Sequence, residues 1–127
     1  MNREQIRLRV EIGRLVDDVL CDRHRYGEDA VELLADALGW SVSDLHWCQT
    51  VFVAYPEHQL AGLLKRRMTN GHVLSFTHLA WLSLVRGSMS RRELCERVFA
   101  ESIPASVLAD EVLAMITLDR TRKNRRY

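Results

Sequence analysis

The sequence predicts an all-α fold: a single helical domain that contains a helix-turn-helix. Three observations carry that expectation. Apolar residues recur at spacings of three and four along most of the chain, which is the helical period. No segment alternates apolar and polar residues for long enough to mark a strand. Only Pro56, Pro104 and six glycines interrupt the chain. At 127 residues the chain suits one domain, and that size buries a core without disulfides or metals. The expected layout is six to seven helices over residues 1–117, then a basic tail over 118–127.

The first helix should run from about residue 3 to 22, with Leu8, Ile12, Leu15, Val16 and Val19 along one face. A second should cover 29–38, with Val31, Leu34, Ala35 and Leu38 inward, and end at Gly39. Ser41 or Ser43 can cap the next helix, which should reach Ala54. It stops there because Tyr55 precedes a proline. A helix over 57–69 ends at "TNGH". Ser75 or Thr77 opens a fifth that is apolar nearly all round, so it should be the buried central helix. Ser90 and Glu93 have capping-box spacing, with Leu94, Cys95, Val98 and Phe99 as the inner face behind them. Pro104 suits the first turn of a last helix that buries Val107, Leu108, Val112 and Ile116.

The stretch "LLADALGWSVSDLHW", residues 33–47, supplies what a helix-turn-helix needs. Ala35 is small where the second helix crosses the first. Gly39 tolerates the positive φ of the turn. Trp40 plugs the gap, and Leu45 and Cys48 point inward. The outward face of the second helix would then carry Ser43, His46, Trp47, Gln49 and Thr50, with Ser41 at its start. In a DNA-binding version that face enters the major groove. Ser43 and His46 would meet phosphates or base edges, and Gln49 would read an adenine. Asp44 fits poorly there, since a carboxylate near phosphates needs a cytosine amino group to accept from. The same pattern also suits a helical hairpin that never touches DNA.

The region "YPEHQLAGLLKRRMTNGHVLSFTHLAWLSLV" follows the motif. It resembles the central helical domain of the ParB and KorB partition proteins, in which a later helix opens with Ser, a small residue, His and an apolar run. Ser75, Thr77 and His78 match that opening loosely. The chain is also similar to the helical N-terminal domain of a family of restriction-like (PD-(D/E)XK) nucleases. The matching segments are "EIGR" at 11–14, "YG" at 26–27, "YP" at 55–56, "LSFTH" at 74–78 and "SRRELCERV" at 90–98. Both resemblances imply a helical domain with a nucleic-acid role. The arginine-rich nucleotide-binding motif and the dimerisation domain of ParB proteins are missing, so CTP binding is not implied. The nuclease half of the second family is missing as well.

The composition is 47% hydrophobic and 28% charged, that of a globular rather than a disordered chain. No apolar run is long enough for a membrane helix, and "MNREQIRLRV" lacks a secretory apolar core. Cys21, Cys48 and Cys95 have neither disulfide-framework nor zinc spacing. A cytoplasmic setting with reduced thiols is therefore expected. The five histidines find no cysteine or carboxylate partners at ligand spacing, and no nucleophile elbow, phosphate loop or zinc-protease motif is present. No enzyme activity, cofactor or metal is expected. Net charge is only +1, but Lys65, Arg66 and Arg67 form one basic cluster, and Arg120, Arg122, Lys123, Arg125 and Arg126 another. These two clusters would hold the phosphate backbone of double-stranded DNA. A symmetric DNA site implies a homodimer. The alternative is a helical module that binds a protein partner or docks onto a nuclease or toxin.

Overall fold

The computed structural model describes residues 3–125, with side chains described over residues 3–122. Among these residues there are eight helices and no strand. They are α1 (Arg3–Cys21), α2 (Arg23–Tyr26), α3 (Ala30–Leu38), α4 (Val42–Ala54), α5 (Glu57–Lys65), α6 (Phe76–Ser83), α7 (Ser88–Glu101) and α8 (Ala105–Arg125). The helix beyond the expected six or seven is α2, a single turn that Asp22 caps by accepting from the Arg25 N–H at 3.1 Å. The chain divides into two compact units, one up to Leu60 and one from Ala61, and α5 runs across the boundary.

In the first unit, α1 and α4 form the main pair. Helix α1 buries Ile6, Ile12, Gly13 and Val16. This corrects the expected stripe: Leu8 is 58% exposed and Leu15 is 42% exposed. The reason is Gly13, whose missing side chain lets the two helix backbones meet. A Cβ placed there would overlap the Cys48 carbonyl oxygen, and it would lie 2.5 Å from the Cys48 carbonyl carbon and 2.9 Å from the Gln49 nitrogen. Ile12, Val16, Val31, Ala35 and Leu45 then close one apolar cluster, with Trp40, Leu34 and Val42 packed on its margin. Leu38, expected inward, is exposed; it is the last residue of the nine-residue α3.

In the second unit, α6 packs against both α7 and α8. It is the buried helix, with Phe76, His78, Leu79, Ala80, Leu82 and Ser83 all inside. Trp81 on α6 and Trp40 in the turn before α4 are half-buried. Ser75 caps α6 in a reciprocal box with His78. The His78 ring then spans two elements. Its Nε2 lies 2.8 Å from the Ile103 carbonyl, which can only accept, so Nε2 carries the proton. Nδ1 is left to accept from the Ser75 N–H at 3.2 Å. The histidine in "LSFTH" is a structural clasp.

Three other boundaries differ from expectation. Helix α5 stops at Lys65, not at about residue 69, because tertiary partners take the next backbone groups. Thr69 donates its N–H to the Phe99 carbonyl at 3.0 Å and its hydroxyl to the Ala100 carbonyl at 2.7 Å. Helix α7 starts at Ser88, so Ser90 lies within its first turn and not at the cap; Gly87 is the N-cap and offers no side chain. Helix α8 continues to Arg125, so residues 118–125 extend a helix and are not a separate tail. It buries Leu108 and Val112, while Val107 is exposed.

Arg91 stitches α6 to α7. Its guanidinium donates to the carbonyls of Leu82, Ser83 and Val85, each at 3.2 Å, and so satisfies orphan acceptors at the end of α6. Arg91→Leu is expected to lower the free energy of unfolding by about 2 kcal/mol in urea titration, since charge-assisted bonds to buried acceptors are lost. A change under about 0.5 kcal/mol would show the clasp to be redundant. The thiols offer a second check. Cys48 and Cys95 are buried, whereas Cys21 is exposed. Burial pushes both buried thiols up, Cys95 to about 11 with a further contribution from the Glu96 carboxylate. A thiol reagent at about pH 8 should consume one thiol per native chain and all three after denaturation.

Candidate nucleic-acid interface

The bend between α3 and α4 has the expected local cause. Gly39 adopts φ 69° and ψ 29°, in the left-handed region. The Trp40 N–H then closes on the Ala35 carbonyl at 2.9 Å. Ser41, not Ser43, is the N-cap. Its hydroxyl accepts from the Asp44 N–H at 3.0 Å, and the Asp44 carboxylate accepts from the Ser41 N–H at 3.3 Å. Asp44 therefore faces the positive end of its own helix, where a carboxylate is favoured. That accounts for an acid at the start of α4.

Helix α4 buries Leu45, Cys48 and Val51. Its outward arc carries Ser43 and His46, both exposed, and Trp47 and Thr50, both half-buried. The arc ends at Val53, which is 65% exposed. Besides the capping Ser41, the expected contact residues Gln49 and Thr50 have intramolecular partners. The Gln49 side-chain amide donates to Asp17 on α1 at 3.2 Å. The Thr50 hydroxyl donates to the His46 carbonyl at 2.8 Å. Arg9 of α1 lies over the Trp40 ring at 4.6 Å. Helix α4 itself carries neither lysine nor arginine.

The basic clusters also divide in two. Arg66 forms a two-pronged pair with Glu96 at 2.6 and 2.9 Å and stacks on Phe99 at 3.9 Å. Its hydrogen bonds hold the Glu96 carboxyl below the usual carboxylate range. Arg67 donates to the Gly71 carbonyl at 2.9 Å. Lys65, Arg120 and Arg122 are exposed, the two arginines on α8. Lys123 and Arg125 sit on the last turn of α8 with side chains outside the described residues, and Arg126 lies wholly outside them.

The overall charge of +1 conceals a segregation that sequence reasoning passed over. Residues 1–60 hold six arginines against eleven carboxylates. Residues 61–127 hold twelve lysines and arginines against six carboxylates. The unit with the helix-turn-helix pattern is acidic, and the unit with α8 is basic. A running charge count split at Leu60 would have found this.

Among the described residues no group of three histidines, cysteines or carboxylates converges to hold a metal ion, and no helix is long and apolar enough to cross a membrane. No family model matches the chain, and neither a curated protein nor a solved structure matches it significantly.

Proposed function

We propose that the chain is a non-enzymatic protein that binds double-stranded DNA, with its affinity supplied by the cations of residues 61–127 and base contact by the outward arc of α4. The charge segregation carries this reading, because a twelve-to-six excess of cations in one unit is an electrostatic footprint for a polyanion. Lys65, Arg92, Arg120 and Arg122 are exposed, whereas Arg66 and Arg97, also exposed, are already paired with carboxylates. Ser43 and His46 remain the groups on α4 best placed to meet base edges, and the left-handed turn at Gly39 sets their helix off from α3. The resemblance to ParB-type helical domains points the same way.

A second reading rests on a specific observation. The arc of α4 is uncharged and ends in Trp47 and Val53, within a unit that has an excess of carboxylates. Such a surface suits a protein partner with an apolar, basic-rimmed face. Titration of a labelled random duplex at low and moderate salt separates the two readings. Duplex binding that weakens more than tenfold supports the first. No duplex binding at low salt overturns it and leaves the second. His46→Ala is then expected to change which duplex is preferred, with little effect on affinity for random sequence.

A further inference from the structure

The second unit contains an open cavity of about 590 Å³, set between the end of α6, the first turn of α7 and the C-terminal half of α8. That volume is in the range of small-molecule sites. Its lining has two characters. Val85, Val112, Met115 and Ile116 form an apolar wall. Arg86, Arg120 and Arg122 also line it, with one acidic residue, Asp119; all three arginines are exposed.

The start of α7 adds to this. Helix α7 has fourteen residues, and its N-cap is a glycine with no side-chain acceptor for the first-turn N–H groups. Ser90, in that first turn, lines the cavity. Helix N-termini favour anions because unpaired N–H groups and the helix dipole face the same way. Guanidinium groups hold planar oxyanions in two-pronged geometry. A purely apolar ligand would make no use of the arginines, and a bare oxyanion would leave the apolar wall wet.

We propose that this cavity binds a small amphipathic anion. A phosphate or carboxylate head would be held by Arg86, Arg120, Arg122 and the first turn of α7, and an alkyl or aryl body would lie on Val85, Val112, Met115 and Ile116. The site shares Arg120 and Arg122 with the proposed duplex contacts, but nothing in its lining requires DNA.

Calorimetric titration of the whole chain with octyl phosphate, octanoate, inorganic phosphate and octanol tests this. Octyl phosphate or octanoate should bind at least tenfold tighter than either half-probe, and which of the two is tighter identifies the head group. Arg120→Gln with Arg122→Gln should weaken the tighter probe at least tenfold, with the circular dichroism spectrum unchanged. Ile116→Asn should weaken the alkyl probes while leaving inorganic phosphate unaffected. An alkyl anion that binds no tighter than inorganic phosphate overturns the proposal, as does unchanged binding in the double arginine variant. No DNA is present, so failure here is distinct from failure of the duplex reading.

Discussion

Gly13→Ala should be among the most destabilising single substitutions in the chain, with a loss of roughly 3 kcal/mol or more and a fall in melting temperature of about 10 °C. The new methyl would overlap the backbone of Cys48 and Gln49, not a side chain that could swing aside. Relief requires α1 and α4 to separate along their length, which opens the cluster of Ile12, Val16 and Leu45. Helix propensity works against this, since alanine in a helix interior gains about 0.5–1 kcal/mol over glycine. Steric overlap wins because packing costs exceed that gain. The control is Gly62→Ala on α5, where a Cβ meets nothing within 4 Å. That variant should gain roughly 0.5–1 kcal/mol from propensity alone. Opposite signs for the same chemical change in urea titrations would establish the close crossing, and a neutral or stabilising Gly13→Ala would refute it.

Charge reversal of Arg120 and Arg122 together should weaken duplex binding roughly a hundredfold. The estimate takes about 1.5 kcal/mol for each charge-assisted phosphate contact, and 1.4 kcal/mol for each factor of ten. Both residues are exposed on α8, so the fold should survive. Arg66→Glu would be a poor test of DNA contact. It places a carboxylate against Glu96 and removes the stack on Phe99, so it damages the second unit whether or not DNA binds. The basic cluster at residues 65–67 looks uniform in sequence, yet the structure separates Arg66, which braces α7, from the exposed Lys65.

Local chemistry was legible in the sequence where it decides structure. Gly39, Ser41, the Tyr55–Pro56 stop and Ser75 each act within a few residues of themselves, and each ends or starts a helix as expected. The buried face of α1 was legible only in part: Ile12 and Val16 are inside as expected, but Gly13 was missed, because hydrophobic periodicity counts side chains and the closest approach is marked by the absence of one. The end of α5 was missed because its competing partners, Phe99 and Ala100, lie about thirty residues away. Gln49 is similar: its outward placement follows from helical spacing, but Asp17 on α1 claims its amide. The charged end of the chain reads as a tail when only its arginines are counted. The residues after Ile116 on that side, Asp119 and Arg120, are charged, so no apolar pattern marks the continuation of α8 to Arg125.

The proposed division of labour between a neutral arc on α4 and cations after Ala61 is tested most directly by the salt dependence of duplex affinity. The logarithm of the binding constant should be plotted against the logarithm of salt concentration for the wild-type chain and for Arg120→Gln with Arg122→Gln. Each phosphate contact contributes about 0.9 to the steepness of that line. The variant should therefore be shallower by about two, to the same extent on every duplex sequence. Parallel lines for the two proteins, or a wild-type line without slope, would contradict the account.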